Sequence, residues 1–441
     1  MAAIMKGGYR GQIYPINPTV DEVEGLRCYP SITDVPGPVD LAVVVVPSRA
    51  VPQIMRECAQ KKVPGAVIIT SGFGETGEEG RRLQQEIVKI AHEGNVRFIG
   101  PNCMGVCSSP AKLSALMIPF LHAKGEVAFI SQSGGYGMQL YLRAQNVGVG
   151  ISKFISSGNE ADLDCVDYLR YFAEDEDIRL IALYIEGIKN GRKFFEAARG
   201  VSKIKPIVVI KVGTTDVGSK AASSHTGALA GSDRIYTAAF RQSGVVRTSN
   251  AEEMFDAIKA LLYCPLPKRE RIAVITNSGG VGVETADACV QLGMCLPTLT
   301  RESQVKIMEV IPPFGNPRNP VDLTASLNME AFLKVPDIVL QDENVDGVIT
   351  LGLGVSIIHA MFPDTPREAF LGIIKGLNDQ LVKTYKKYDK PVLVINPAAD
   401  MEVEAAKLLE DNGIPLYVTP SRAARAMAAL LEYKRYREAA V

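Results

Sequence analysis

A short polar segment at 223–231, Ser-Ser-His-Thr-Gly-Ala-Leu-Ala-Gly, holds a histidine among small residues. It follows an apolar strand predicted at 206–210 and precedes a helical pattern that begins at Ser232. An accessible imidazole such as that of His225 is nucleophilic near pH 7 and can accept a group and release it. The alternative is a histidine that only hydrogen-bonds within its own turn, and these residues alone do not exclude it.

Two glycine-rich loops match each other position by position: Ile-Ser-Gln-Ser-Gly-Gly-Tyr-Gly at 130–137 and Ile-Thr-Asn-Ser-Gly-Gly-Val-Gly at 275–282. Each follows an apolar strand and opens a predicted helix. Free amides at the positive end of a helix dipole form an anion site. Glycines at such turns also serve only to pack helix against strand, which is the alternative. Two helix starts that converge on one phosphoryl group would stabilise it without a metal.

A carboxylate, Glu186, comes just past the end of an apolar strand, where ligand sites of α/β proteins form. It could accept the Nδ1–H of His225 and leave Nε2 free as the nucleophile. The alternative is a solvated loop acid. The remaining histidines, His92, His122 and His359, have no converging partners and are treated as background.

Other strand ends carry weaker signals. Asn102 and Cys103 follow a strand and could line a cleft, although a small residue packed under a turn is equally compatible, and we predict no covalent role for the cysteine. Residues 71–74 could contact phosphates or ribose, or form a plain turn. Residues 319–322 could form a turn with an Asx hydrogen bond or a polar lining of the phosphate site.

The elements that must position these residues alternate between strand, glycine-rich turn and amphipathic helix, which predicts an α/β protein with parallel sheets. The elements fall into three blocks, and a proline-rich linker at 264–268 separates the third block from the second. Strands are predicted at 12–15, 40–46, 65–70 and 96–100 in block one; at 126–130, 150–155, 180–185 and 206–210 in block two; and at 271–276, 345–351 and 391–395 in block three. Helices are predicted at 49–60, 80–92, 251–262 and 420–439.

The opening of block one departs from the usual pattern of a nucleotide-binding unit, which begins with a strand and a phosphate-binding turn. Here the chain starts on what reads as the tail of the first helix, at 4–9, and continues into 12–18. We expect that the first strand and loop are missing, through a truncated gene or through a trimmed domain.

The bulk composition excludes several function classes. The 441 residues are 47% hydrophobic and 22% charged with a net charge of -1, which gives no electrostatic basis for binding nucleic acid or an anionic membrane. No apolar run is long enough to span a bilayer, and the N-terminus lacks the apolar core of a signal peptide. The eight cysteines contain no CxxC pair, so we expect reduced thiols in a cytoplasmic protein.

Taken together, these motifs make the chain resemble the α subunit of the NDP-forming acyl-CoA synthetases, relatives of the succinyl-CoA synthetase α subunit. The resemblance covers nearly the whole length. It lies in the segments 46–47, 100–105, 130–137, 152–159, 184–187, 224–231 and 319–322.

The resemblance implies three consecutive Rossmann-like or flavodoxin-like parallel-sheet domains: a CoA-binding domain at 1–122 that lacks its opening strand and Gly-rich loop, a ligase domain with the phosphohistidine loop at 123–264, and a flavodoxin-like domain at 265–441. It places the phosphohistidine at His225 and its carboxylate partner at Glu186. The implied phosphate ligands are Ser131, Ser133, Gly134, Gly135, Ser278, Gly279 and Gly280. The implied CoA contacts are Asn17, Val46, Pro47, Ser71, Gly72, Phe73, Asn102 and Cys103.

The reaction that the resemblance implies converts acyl-CoA, NDP and phosphate into carboxylic acid, CoA and NTP, through an acyl phosphate and a phosphohistidine. The nucleotide, ADP/ATP or GDP/GTP with Mg²⁺, would bind to a separate ATP-grasp β subunit, in an α2β2 assembly. A non-catalytic CoA- or acyl-CoA-responsive regulator is the alternative, which the missing first loop favours and the intact histidine and Gly loops disfavour. A nicotinamide-dependent dehydrogenase ranks low, since no GxGxxG follows a first strand.

Overall fold

The computed structural model describes residues 1–118, 124–220, 232–324, 328–399 and 403–439. The chain divides into two compact units, Met1–Ala251 and Glu252–Val441. Each contains parallel sheet flanked by helices.

The first unit contains a small parallel sheet of three strands, Leu41–Val44, Gly65–Ile68 and Arg97–Ile99, which lie side by side in chain order. Helices join consecutive strands, because a parallel pair requires a long crossover connection. Ile68, Phe73 and Phe98 are fully buried in the core that the sheet shares with these helices. The elements in chain order are α1 (Ala2–Lys6), β1 (Glu22–Val23), β2 (Leu26–Arg27), β3 (Leu41–Val44), α2 (Val51–Lys61), β4 (Gly65–Ile68), α3 (Glu78–Glu93) and β5 (Arg97–Ile99).

A seven-stranded sheet completes the first unit. Its elements are β6 (Gly105–Ser108), β7 (Leu113–Leu116), β8 (Val127–Ser131), α4 (Gly134–Asn146), β9 (Ile151–Ser156), α5 (Cys165–Glu174), β10 (Leu180–Ile185), α6 (Gly191–Val201), β11 (Ile207–Lys211), α7 (Asp233–Ser243) and β12 (Val245–Thr248). Every residue of β8, β10 and β11 is buried, as expected for strands covered on both faces.

The strand order of this sheet is β12-β11-β10-β8-β9-β6-β7, in which β6 pairs antiparallel with both neighbours and the other pairs are parallel. Its first parallel strand, β8, therefore lies between the second, β9, and the third, β10. This arrangement leaves a crevice beyond the carboxyl ends of β8 and β10, where consecutive connections leave the sheet in opposite directions.

The second unit repeats that order. Its five-stranded sheet is parallel throughout and runs β14-β13-β15-β16-β17, so its first strand again lies between its second and its third. The elements are α8 (Ala251–Tyr263), β13 (Ile272–Thr276), α9 (Gly279–Gln291), α10 (Arg301–Met308), β14 (Val321–Asp322), α11 (Met329–Gln341), β15 (Gly347–Leu351), α12 (Val355–Met361), α13 (Arg367–Tyr385), β16 (Val392–Ile395), α14 (Val403–Asp411), β17 (Leu416–Tyr417) and α15 (Pro420–Ala439).

The prediction of an α/β protein with parallel sheets is confirmed, and one predicted strand is wrong. Residues 12–15 form no strand, and only an isolated bridge joins Ile16 to Tyr29. Pro15 and Pro18 remove two backbone donors, so this apolar stretch does not form a ladder. The antiparallel hairpin of β6 and β7 was not predicted. It lies within the predicted domain 1–122 and hydrogen-bonds to the sheet of β8 to β12, while the three-domain division stays a prediction.

None of the eight cysteines, all of which fall within the described ranges, forms a disulfide. Among the helices that the structure describes, none combines the length and the apolar character needed to cross a bilayer.

Candidate active site

The loop between β8 and α4 is shaped by its first serine. Ser131 is fully buried, and its Oγ–H donates to the carbonyl oxygen of Ser133 over 2.7 Å. Gly137 leaves space for this hydroxyl, since an added Cβ there would lie 2.4 Å from Oγ. Ser133 occupies the N-cap but makes no side-chain capping bond. The first amides of α4 are therefore available to an anion, and Ser131 supports the loop rather than facing it.

The loop between β13 and α9 has the same construction. Thr276 Oγ1 donates to the carbonyl oxygen of Ser278 over 2.7 Å, and an added Cβ at Gly282 would lie 2.8 Å from Thr276 Cγ2. Ser278 is likewise an N-cap without a side-chain capping bond. The sequence similarity of the two loops thus corresponds to the same turn at the same place in two sheets of equal strand order.

In the predicted polar segment at 319–322, Asn319 has a structural role in the second unit. Asn319 Oδ1 accepts from the N–H of Val274 (2.9 Å), and its Nδ2 donates to the carbonyl oxygen of Ile272 (3.0 Å). Asp322 Oδ1 accepts from the N–H of Thr324 at 2.8 Å, which is the Asx turn given above as an alternative.

A cleft of about 510 Å³ lies in the first unit. Its walls come from the ends of β3 and β4, from the turn after β5, and from the start of α4. Among its lining are the following predicted residues: Val46, Pro47, Ser71, Asn102, Cys103, Ser133, Gly134 and Gly135. Five of the eight predicted CoA contacts and part of the predicted phosphate loop therefore line one cavity.

Three of the predicted CoA contacts do not reach this cleft. Phe73 has a fully buried side chain in the core around β3 to β5. The amides of Gly72 and Phe73 donate to Glu75 Oε1, at 2.6 and 3.1 Å, so they are already satisfied. Asn17 Oδ1 accepts from the amide and the hydroxyl of Thr19, both at 2.9 Å. Sequence reasoning placed these residues from the motif and had no information on which side chains the turn buries.

Cys103 lines the cleft as a neutral thiol. It is 4% exposed, its Sγ–H donates to the carbonyl oxygen of Ile68 at 3.3 Å, and burial raises its pKa to about 12. A thiol with this pKa carries almost no thiolate at neutral pH, so it is unsuited to covalent catalysis.

Glu186 follows the end of β10 and is half-buried. Its backbone N–H donates to Gln132 Oε1 over 2.6 Å. Burial raises the pKa of the adjacent Tyr184 to about 12, and the negative charge of Glu186 adds to that shift. On the neighbouring strand, Lys211 lies in register with Ile185, and its Nζ lies 4.6 Å above the ring of Tyr236. Burial lowers the pKa of Lys211, while the nearby carboxylates of Asp233 and Glu186 oppose that shift.

His225 falls outside the described residues, as does His122, so the pairing of His225 with Glu186 stays a prediction. His225 comes between β11 and α7 in the chain. Because β11 is parallel to and hydrogen-bonded with β10, Val212 follows β11 at the same edge of the sheet at which Glu186 follows β10.

Sequence reasoning missed three polar residues around the cleft. Gln132 donates from Nε2 to Glu160 Oε2 at 3.0 Å, and Glu160 is 3% exposed. Asn159 donates from Nδ2 to Glu75 Oε2 at 2.5 Å and accepts from Asn102 Nδ2 at 3.2 Å. Glu160 and Asn159 belong to the turn after β9, which thus contacts both the CoA-side loops and the phosphate loop. The segments 130–137 and 152–159 contain Gln132 and Asn159, but no site role was predicted for these side chains or for Glu160.

Three protein families match consecutive parts of the chain. They are described as a CoA binding domain over residues 1–109, a succinyl-CoA ligase like flavodoxin domain over 124–261, and a Ligase-CoA domain over 272–441. The third match coincides with most of the second compact unit.

Characterised relatives and solved structures align along nearly the whole chain. The alpha subunit of ADP-forming acetate–CoA ligase II from Pyrococcus furiosus is 44% identical over 96% of this chain and 90% of its own. The alpha subunit of ligase I from that organism is 40% identical over 99% of this chain and 93% of its own. The dinucleotide-forming acetyl-coenzyme A synthetase 1 of Candidatus Korarchaeum cryptofilum, solved with phosphate and ADP, superposes with a TM-score of 0.87 and 38% identity over 99% of this chain and 92% of that one.

Proposed function

The chain belongs to the family of ADP-forming acetate–CoA ligase alpha subunits, and from this membership we propose that it is the acyl-transferring subunit of such a ligase. The reaction converts acyl-CoA, NDP and phosphate into carboxylic acid, CoA and NTP, and it is reversible. The observation that carries the proposal is the cleft of about 510 Å³, which is lined both by Asn102 and Cys103 and by the start of α4.

The first step joins phosphate to the acyl group. A phosphate oxygen attacks the thioester carbon, the C–S bond breaks, and the proton of the phosphate passes to the sulfur of CoA. The free amides that begin at Gly134 and Gly135 bind the phosphate, and the positive end of the α4 dipole stabilises its charge. The thiol end of CoA lies near Cys103, which lines the cleft without entering the chemistry.

The second step transfers the phosphoryl group to His225. Its Nε2 attacks phosphorus, the bond to the acyl oxygen breaks, and the carboxylate leaves. The imidazole becomes positively charged as the N–P bond forms. The carboxylate of Glu186 accepts the Nδ1–H and offsets that charge, which stabilises the transition state. In the third step an oxygen of the NDP attacks phosphorus, the N–P bond breaks, and NTP is released.

The third step requires a nucleotide site. We assign it to an ATP-grasp β subunit that binds ADP or GDP with Mg²⁺, in an α2β2 assembly in the cytoplasm; the designation of the relatives as alpha subunits supports a partner. We also assign CoA binding to residues 1–122, the phosphohistidine to 123–264 and a second phosphate-binding loop to 265–441. The matching turn at Ser278 supports this last role.

The test is the intact mass of the purified chain after incubation with acetyl-CoA and inorganic phosphate. We expect an acid-labile gain of one phosphoryl group, its absence in His225→Ala, and its retention in His92→Ala. The last variant is a matched control, because His92 does not line the cleft. Its Nε2 lies 3.2 Å from Asp162 Oδ1.

A second incubation with acetyl phosphate bypasses CoA. Labelling there alone would show an active histidine without a working thioester step, contrary to the first step above. An unlabelled protein in both incubations would contradict the enzymatic proposal and favour the CoA-responsive regulator.

A further inference from the structure

Gln132 occupies the point where the first and third strands of the flavodoxin-like sheet diverge. It directly follows β8, and its backbone N–H extends the ladder to the carbonyl oxygen of Tyr184 on β10, at 3.1 Å. The residues that follow Gln132 form the phosphate loop, and the residues that follow Tyr184 lead to Glu186. Gln132 is therefore adjacent in sequence to one part of the site and adjacent in space to another.

The carboxamide of Gln132 uses all four of its hydrogen-bonding positions. Oε1 accepts from the N–H of Glu186 (2.6 Å) and of Gly187 (3.1 Å). Nε2 donates to the carbonyl oxygen of Gly187 (2.8 Å) and to Glu160 Oε2 (3.0 Å). An amide has two donor and two acceptor positions, so no alternative orientation satisfies these partners. The reversed amide would set its NH₂ against the two N–H groups and its oxygen against the carbonyl oxygen of Gly187.

The carboxylate of Glu160 is itself held in place. Its Oε1 accepts from Ser157 Oγ at 2.8 Å, and Lys189 Nζ donates to the backbone carbonyl oxygen of Glu160 at 2.5 Å. Glu160 also has a backbone φ of +50°, which an L residue rarely adopts unless its surroundings stabilise it. The bridge from Gln132 thus ends on a rigid support rather than on a mobile side chain.

We propose that Gln132 is a positioning residue, which fixes the backbone of Glu186 relative to the phosphate loop, so that the carboxylate assigned above to His225 keeps its place. This role rests on the proposed function. It is not a general property of such loops: the corresponding residue in the second copy is Asn277, which is one methylene shorter and makes no equivalent bridge in the described part of the second unit.

Other side chains at position 132 do not reproduce the bridge. A methionine of similar length leaves the N–H groups of Glu186 and Gly187 without their partner. A glutamate sets a second carboxylate against that of Glu160 and against a carbonyl oxygen. Because small displacements of a positioned catalytic group cost about 100-fold in rate, we expect a loss of that size in the rate at saturating substrate.

The test compares wild type, Gln132→Met and Gln132→Asn in the rate of acid-labile phosphorylation by acetyl-CoA and phosphate. We expect Gln132→Met to be slower by about 100-fold at saturation, and Gln132→Asn to be intermediate. The acetyl-CoA concentration at half-saturation is expected to stay unchanged. Amide hydrogen exchange at Glu186 and Gly187 is expected to become faster, which is a readout independent of activity. Gln304→Met is the control, since Gln304 donates to the carbonyl oxygen of Leu299 in the second unit.

The outcomes separate the two proposals. An unlabelled wild type overturns the proposed function and the role of Gln132 with it. If the wild type is labelled, two results for Gln132→Met overturn the role of Gln132 alone. One is labelling at the wild-type rate. The other is a higher acetyl-CoA concentration at half-saturation with an unchanged rate at saturation. Failure of both variants to fold would show a purely structural residue and would also overturn the positioning role.

Discussion

Asn159 Nδ2 donates to Glu75 Oε2 across 84 residues of sequence, so the turn after β9 is tied to the loop after β4. Burial tends to raise the pKa of Glu75, but the hydrogen bonds from Asn159 and from the Gly72 amide outweigh it and hold that pKa below its usual value. The loop that ends β4 therefore carries an ionised carboxylate whose orientation depends on Asn159.

Replacing Asn159 by alanine removes this bond together with those to Gln84 and Asn102. We expect weaker CoA binding, by about 10-fold, because the loss of these three hydrogen bonds displaces the loop at a cost of about 1–2 kcal/mol in binding. Isothermal titration with CoA measures the affinity. Asn344→Ala in the second unit is the control, and an unchanged dissociation constant for Asn159→Ala would contradict the expectation.

Glu186→Gln is expected to slow the phosphorylation of His225 by about 10- to 100-fold while CoA binding stays the same, because the neutral amide offsets less of the charge on the imidazole. Rapid quenching followed by intact mass gives the rate. Glu343→Gln, at an exposed position of the second unit, serves as the matched change. Equal rates in the wild type and Glu186→Gln would remove Glu186 from the mechanism.

Because Glu160 is buried, we expect the free energy of unfolding to depend on pH. Burial raises its pKa to about 7, above the ordinary value of 4.5, so between these values the native state keeps a proton that the unfolded state has lost. The contribution of this group to the free energy of unfolding therefore falls as pH rises through that window, by up to about 3 kcal/mol, and is constant above it.

Urea unfolding of wild type and Glu160→Gln at about pH 5 and about pH 8 isolates this group from the other carboxylates. The wild-type midpoint should decrease relative to that of the variant on going to the higher pH. If the difference between the urea midpoints of wild type and variant were the same at both pH values, residue 160 would have the same pKa in the native and unfolded states.

Two glycines of one helix form a matched pair. In Gly137→Ala the new Cβ would lie 2.4 Å from Ser131 Oγ, whereas a Cβ at Gly135 would have no atom within 4 Å. We expect Gly137→Ala to lower the free energy of unfolding by about 1–3 kcal/mol and Gly135→Ala to leave it unchanged or slightly raised. Chemical denaturation measures both, and equal stabilities would show that the turn tolerates a displaced hydroxyl.

The cysteines predict a pattern of alkylation. Cys295 is exposed, whereas Cys103 is 4% exposed with a pKa raised by burial to about 12. Iodoacetamide at neutral pH should therefore modify Cys295 well before the native Cys103. Peptide mapping by mass spectrometry gives the order, with Cys295→Ser as the control. Early modification of Cys103 would show that the cleft opens beyond the described geometry.

The sequence patterns that succeeded are those that depend on neighbours along the chain. The all-apolar runs of β8, β10 and β11 predicted buried parallel strands, and the paired loops predicted two equivalent turns. The strand predicted at 12–15 failed because Pro15 and the nearby Pro18 donate no backbone hydrogen bond. The short strands β6 and β7 were missed because they pair with each other and with β9 rather than forming a long apolar run.

The site divides in the same way. The start of α4 and Glu186 were predicted from their positions after apolar strands; the start of α4 lines the cleft, and the role of Glu186 stays a prediction. Gln132 and Asn159 were missed because their partners lie 28 and 84 residues away, at Glu160 and Glu75. Phe73 was assigned to the cleft because its motif ends a strand, although only the folded turn determines that its ring points into the core. Hydrogen bonds between distant loops have no period that a sequence could reveal.

In the turn that begins α4, the residues allowed at positions 131 and 137 depend on each other. The hydroxyl of Ser131 fills the space that Gly137 leaves, and Thr276 with Gly282 repeats the pair in the second unit. A larger residue at the glycine can persist only after the hydroxyl-bearing residue has become smaller, because a larger residue at the glycine alone would clash with that side chain. Each pair is therefore expected to vary jointly or not at all among descendants of this gene, so that the order of substitutions, rather than their number, limits how the loop evolves.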